Sequence, residues 1–89
     1  FYLCELLAKK AVQFGFSAEE ADKIAEKTLI GSATLIEMGE KSAAQWRAAV
    51  TSKKGTTEAA LTYLQTHHFE QIFQGAIEAG ERRSEELNQ

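Results

Sequence analysis

The segment of residues 51–57 contains the residue types in this chain that could do chemistry. It reads Thr-Ser-Lys-Lys-Gly-Thr-Thr, has no apolar side chain, and precedes a segment with helical apolar spacing. A helix N-terminus presents unpaired amides and the positive end of a dipole, and the hydroxyls of Ser52, Thr56 and Thr57 add donors. Gly55 allows a ligand to approach the backbone. The segment therefore suits a carboxylate or a phosphate.

The same hydroxyls also fit a purely structural role. Ser and Thr most often cap helices, and Thr56 or Thr57 would then be the N-cap of the helix that follows. On the residues alone we favour this capping interpretation. Lys53 and Lys54 add positive charge at the same place, but paired lysines are more often part of a solvated loop.

The other reactive residue types indicate structure rather than chemistry. His67 and His68 are adjacent, so on a helix their side chains point about 100° apart. No acid or Cys stands four residues away, and we predict no metal site. Cys4 has no His or basic neighbour and is interpreted as a buried structural thiol. Trp46 is interpreted as an anchor of the core or of an interface.

The chain has no proline and only six glycines, which predicts an all-α fold of about five helices. Gly15 is expected to stop the first helix and Gly39 to end a second helix of about 20 residues. Residues 17–20 and 42–45 both match the capping-box pattern and predict the starts of the second and third helices.

Two more helices follow the segment of residues 51–57. The fourth is expected to bury Ala60, Leu61 and Leu64 and to end near His67, where a histidine faces the negative end of the helix. The fifth becomes polar after Gly80, and its apolar positions recur at helical spacing: Phe69, Ile72, Phe73, Ala76 and Ile77. A chain this small, with an apolar stripe on two sides of its second helix, predicts an extensive dimer interface.

Composition excludes several classes of protein. The formal net charge of −3 argues against a nucleic-acid partner, which would require an excess of basic residues. With 44% hydrophobic and 26% charged residues, neither a disordered tail nor a membrane span fits. A single cysteine suits a reducing cytoplasm. The length of 89 residues allows one domain, and a first helix that begins at Phe1 without a capping residue predicts a fragment.

The sequence also resembles a known family. Residues 50–57, Val-Thr-Ser-Lys-Lys-Gly-Thr-Thr, are similar to the Val-Thr-Ser-Pro-Gly-Gly-Thr-Thr signature of pyrroline-5-carboxylate reductase. Phe1-Tyr2 resembles the helix after that family's Gly-Ser-Gly-Pro-Ala segment, Gly39-Glu40 precedes the helix that leads into the signature, and residues 82–87 resemble its last helix. The resemblance covers all 89 residues and corresponds to the helical C-terminal half of such enzymes.

The resemblance implies a C-terminal dimerisation and substrate-site domain over residues 1–89, which interleaves helices with a second copy. The nucleotide-binding domain that precedes it in the family is absent from this chain, so the chain alone is predicted to be inactive. The parent enzyme would reduce 1-pyrroline-5-carboxylate to L-proline with NADPH or NADH. Thr57 would be catalytic, through a hydrogen bond to the ring nitrogen. Substrate binding would involve Ser52, Gly55, Thr56, Thr57 and Glu40.

Lys53 and Lys54 replace the Pro and Gly of the signature. If the glycine that Lys54 replaces has a positive φ in the family, Lys54 costs of order 1 kcal/mol there or forces a different path of the loop. Two other interpretations of the whole chain stay open: a helical interaction module without enzymatic function, and the helical domain of another nucleotide-dependent dehydrogenase.

Overall fold

The computed structural model describes all of residues 1–89 and consists of five α-helices without a strand. This confirms the all-α prediction. The chain divides into two compact units, Phe1–Arg47 and Ala48–Gln89. The helices are α1 (Tyr2–Gln13), α2 (Ala18–Glu37), α3 (Ala43–Ala49), α4 (Thr56–Thr66) and α5 (Phe69–Leu87).

In the first unit, α1 packs against α2 through small residues. α1 ends before Gly15, whose φ of +108° suits glycine. α2 begins with the predicted capping box: the Ser17 hydroxyl accepts a hydrogen bond from the Glu20 amide, and the Glu20 carboxylate accepts one from the Ser17 amide, each 3.1 Å long. The only buried residues of the chain are three alanines at this contact: Ala11, Ala21 and Ala25.

α2 is 20 residues long, as predicted, and Gly39 follows its end with a φ of +77°. The second capping box also forms, because the Ser42 hydroxyl accepts from the Gln45 amide and the Gln45 side chain accepts from the Ser42 amide. In α3, Trp46 is half-buried and its ring lies 4.9 Å from the Lys41 ammonium. Cys4 is half-buried rather than buried, because the two-helix packing of α1 and α2 encloses only small side chains.

In the second unit, α4 packs against α5. The prediction that Thr56 or Thr57 caps α4 is wrong: Gly55 is the N-cap, and both threonines lie in the first helical turn. α4 ends at Thr66, where the His67 ring nitrogen Nδ1 lies 2.8 Å from the Tyr63 carbonyl oxygen. His68 follows with a φ of 60° and turns the chain into α5.

The expected core of α4 is not closed. Leu61 is half-buried, whereas Ala60 and Leu64 are exposed, because a pair of helices cannot enclose large side chains. α5 likewise leaves Ile72 65% and Ile77 55% exposed. None of the five helices combines the length and the apolar composition that a membrane crossing requires.

Candidate functional site

The predicted site segment contains a tight turn at residues 52–55. The Gly55 amide donates a 3.0 Å hydrogen bond to the Ser52 carbonyl oxygen, which makes Lys53 and Lys54 the two central residues of the turn. Lys54 has a φ of 61°, a left-handed conformation that glycine adopts at lower cost. A lysine therefore occupies a position at which the backbone favours glycine.

The turn leads directly into the N-terminus of α4. Gly55 is the N-cap with an extended backbone, and its carbonyl oxygen accepts the first helical hydrogen bond from the Ala59 amide. Glycine has no side chain with which to cap, so the N-cap supplies no acceptor for the amides of Thr56 and Thr57. These amides are the donors that an anion at a helix N-terminus would use.

Ser52 and Gly55 are in close contact across the turn. The Ser52 hydroxyl occupies the space that a β-carbon on Gly55 would need. Ser52 and Thr56 are exposed, while Thr57 is half-buried. The structure thus brings together four of the predicted site residues, Ser52, Gly55, Thr56 and Thr57, at one end of α4.

Glu40 lies in the other unit, in the exposed connection between α2 and α3. It follows Gly39, and its side chain is exposed. The segment of residues 51–57 belongs to the second unit. A substrate-binding role for Glu40 therefore stays a prediction.

Charge around the turn is mostly positive. Lys53 and Lys54 are exposed, and Glu58 in the first turn of α4 is the acid nearest to them in sequence. The pKa that clearly departs from its ordinary value is that of the Glu20 carboxyl, at the start of α2 and well before this turn in the sequence. Hydrogen bonds from the Ser17 backbone amide and then from its hydroxyl lower it.

Sequence reasoning missed two features of this unit, Gly55 as the N-cap and the left-handed backbone of His68. The order Gly-Thr-Thr before an apolar run could have indicated Gly55 as the N-cap, because glycine is as acceptable as threonine at that position. Nothing in the local sequence indicated the second. The structure gathers no group of three or more His, Cys, Asp or Glu side chains that could hold a metal ion.

Comparison with known proteins gives a consistent result. The family model described as pyrroline-5-carboxylate reductase dimerisation matches residues 1–87. The chain is 34% identical over 87 residues to a pyrroline-5-carboxylate reductase of Pseudomonas aeruginosa and 32% identical over 88 residues to that of Staphylococcus haemolyticus. These alignments cover 98% and 99% of this chain respectively. The chain spans 32% of the length of each relative.

A solved structure is also similar. The crystal structure of Plasmodium falciparum pyrroline carboxylate reductase with NADP bound matches with a TM-score of 0.80 and 25% sequence identity. The match covers 85% of this chain and 29% of that one. The likeness in sequence and the likeness in backbone therefore indicate the same family.

Proposed function

Because this chain belongs to the pyrroline-5-carboxylate reductase dimerisation family, we propose that it is the C-terminal helical part of such an enzyme. The parent protein would reduce 1-pyrroline-5-carboxylate to L-proline with a nicotinamide nucleotide, in the cytoplasm. The chain corresponds to about a third of the length of its relatives. The complete reaction is therefore a proposal about the longer protein, and the 89 residues alone are expected to be inactive.

The first role of this domain is to form a homodimer by interleaving its helices with those of a second copy. The exposed apolar side chains of α5 support this role, since Ile72 is 65% and Ile77 55% exposed. Water contact with such side chains costs about 25 cal/mol for each Å² of apolar surface. A second copy that covers this helix would recover that free energy.

The second role is to provide part of the substrate site at the N-terminus of α4. The observation that carries this proposal is the position of Thr57, half-buried in the first helical turn after a glycine N-cap. The amides at the start of the helix and the hydroxyls of Ser52 and Thr56 would hold the substrate carboxylate. The Thr57 hydroxyl would hydrogen-bond the ring nitrogen, and Glu40 would contribute an acidic group to substrate binding, as the resemblance to the family implies.

Reduction of a protonated imine requires little acid catalysis once the ring is fixed in place. The main task of these residues is to orient the ring carbon that accepts the hydride, because orientation supplies much of the rate in such reactions. A hydroxyl that bonds the nitrogen and an anion site that holds the carboxylate fix two points of a small ring. Two fixed points leave the ring little freedom to rotate.

The nicotinamide nucleotide, NADPH or NADH, supplies the hydride when it is bound. The residues of this chain do not fit a dinucleotide-binding motif, because that motif requires a strand and a closely spaced glycine pattern before a helix. This chain forms no strand, and its six glycines are far apart. We therefore assign nucleotide binding to another part of the enzyme and derive no step through it.

The test is the reductase rate of the full-length protein that contains this chain, with Thr57→Ala as the variant. Loss of a hydrogen bond to a charged group costs about 1.5–3 kcal/mol, so kcat/KM for 1-pyrroline-5-carboxylate should fall about 10- to 100-fold. Thr62→Ala is the matched control, because Thr62 is an exposed threonine of the same helix. Oxidation of the nucleotide is followed by its absorbance.

The two rival functions give different results in the same assay. A helical interaction module predicts no reductase activity in the unmodified protein and only a small stability change in Thr57→Ala. A different nucleotide-dependent dehydrogenase predicts oxidation of the nucleotide with another carboxylate substrate. A panel of cyclic imines and 2-oxo acids distinguishes this second rival from the proposal.

A further inference from the structure

We propose that Lys53 and Lys54 form a cationic turn that attracts the carboxylate of the substrate to the N-terminus of α4 and so lowers the KM for that substrate. The inference rests on the proposed function, because it names specificity residues of that same site. It assigns a role to the two residues at which this chain departs from the Pro-Gly of the signature that it resembles.

The turn places both lysines next to the predicted site. Its closing hydrogen bond joins the Gly55 amide to the Ser52 carbonyl oxygen, and both of these residues belong to the site. Lys54 is therefore one residue, Gly55, away from the first turn of α4, and Lys53 is two residues away. Both side chains are exposed, so both ammonium groups are accessible to a diffusing ligand.

The positive charge of the turn exceeds the negative charge that lies next to it in the sequence. Neither the ion pair of Lys23 with Glu19 nor that of Arg83 with Glu86 involves this turn. The negative charge of Glu58 offsets one of the two lysine charges, so the stretch of residues 51–58 has a formal charge of +1. This local charge contrasts with the net charge of −3 for the whole chain.

The left-handed backbone of Lys54 lowers local stability. A φ of 61° costs a lysine of order 1 kcal/mol, which glycine would avoid. Strained residues persist where the rest of the structure holds them, and they concentrate at functional sites.

The expected effect concerns binding of the substrate and not the chemical step. An exposed ammonium group attracts a carboxylate through solvent, and salt screens this attraction over about 10 Å at 0.1 M ionic strength. The ring and the hydride donor are positioned by other groups. Removal of the lysine charges should therefore raise the KM for 1-pyrroline-5-carboxylate and leave kcat unchanged.

The experiment compares three variants of the full-length enzyme at several salt concentrations. The double variant Lys53→Gln, Lys54→Gln removes both charges, the double variant Lys53→Arg, Lys54→Arg keeps them, and Lys27→Gln removes a charge from α2. At low ionic strength, the KM of the glutamine variant should rise about three- to tenfold. The difference should vanish near 1 M salt, where the screening length is about 3 Å.

Several outcomes would overturn the inference. One is an unchanged KM in the glutamine variant, and another is an equal rise in the arginine variant. A rise in the KM for the nucleotide instead of the imine would assign the lysines to the other ligand. If the unmodified enzyme is active and Thr57→Ala impairs it, such results reject the lysine inference alone. Absence of reductase activity in the unmodified protein rejects both this inference and the proposed function.

Discussion

The Ser52 hydroxyl fills the space beside Gly55 that a β-carbon on residue 55 would occupy. The backbone of Gly55, with a φ of −87° and a ψ of 179°, is one that any residue adopts. The requirement for glycine at this position is therefore steric and comes from Ser52. It keeps the Ser52 hydroxyl close to the N-terminus of α4, where the proposed substrate carboxylate binds.

Gly55→Ala should displace the Ser52 hydroxyl and weaken substrate binding. The new methyl group would also press on the Ser52 carbonyl oxygen, 3.2 Å from the ideal β-carbon position, so the chain should lose about 1 kcal/mol of stability. Urea unfolding measures the stability, and the KM for 1-pyrroline-5-carboxylate in the full-length enzyme measures the binding.

A double-mutant cycle tests the cause of that loss. Ser52→Ala removes the hydroxyl and leaves its β-carbon at an ordinary contact distance of 3.5 Å from the new methyl group. Gly55→Ala should therefore cost less in the Ser52→Ala background, with a coupling energy of about 0.5–1 kcal/mol. Additive effects of the two substitutions would contradict the steric explanation.

The features that the sequence predicts correctly are those decided by neighbouring residues. Both capping boxes form, and Gly15 and Gly39 end their helices, because each depends on hydrogen bonds and backbone angles within a few residues. The cap of α4 was mispredicted because glycine and threonine have nearly equal preference for an N-cap. Local rules could not choose between Gly55 and Thr56.

Burial is the feature that the sequence does not decide. Helical spacing predicts that one face of α4 is buried, yet Leu64 on that face is exposed. Periodicity shows which side of a helix is apolar. It does not show whether the residues that pack on this side belong to the same chain or to another. For a dimerisation domain, much of that cover must come from the second copy.

Lys54→Gly should stabilise the chain by about 0.5–1 kcal/mol. Lysine at a φ of 61° is strained, and glycine relieves this strain at the cost of a more flexible unfolded chain. Lys53→Gly is the matched control, because Lys53 is not among the residues with a positive φ and should gain no stability. Denaturation midpoints at a fixed protein concentration provide the comparison.

His67 and His68 should respond to glycine with opposite signs. His68 has a φ of 60°, so His68→Gly should stabilise the junction between α4 and α5 by about 0.5–1 kcal/mol. His67 has a ring hydrogen bond to the Tyr63 carbonyl oxygen and stacks on the Tyr63 ring at a centroid distance of 4.1 Å. His67→Gly should therefore cost about 1 kcal/mol. Equal shifts in the two melting temperatures would contradict this assignment.

The two capping boxes should respond differently to a fall in pH, because one contains Glu20 and the other Gln45. Hydrogen bonds from Ser17 lower the pKa of Glu20 below its ordinary value of 4.5, since they favour the charged carboxylate. A pKa that is lowered by folding gives stability that is fully present above the ordinary pKa. This stability is lost as the pH falls through the lowered value.

The measurement is the pH dependence of the two backbone amide signals that donate to these side chains, those of Ser17 and Ser42, in NMR spectra. The Ser17 signal should move as the pH falls below about 4.5, while the Ser42 signal should stay in place because glutamine does not titrate. Glu20→Gln should remove the shift of Ser17. A similar acid shift at both serines would indicate general unfolding instead.

Ile72→Asp should dissociate the dimer. Ile72 is 65% exposed on the apolar face of α5, and a carboxylate there would have to lose its water when a second copy covers this face. Sedimentation equilibrium should show a dimer for the unmodified chain and a shift toward monomer in this variant. Gln71→Asp introduces the same charge one residue away, about 100° around the helix from Ile72 and outside the apolar face, and should leave the dimer intact. A dimer that withstands Ile72→Asp would mean that the second copy covers other apolar surfaces, such as the exposed face of α2, and leaves this side of α5 in water.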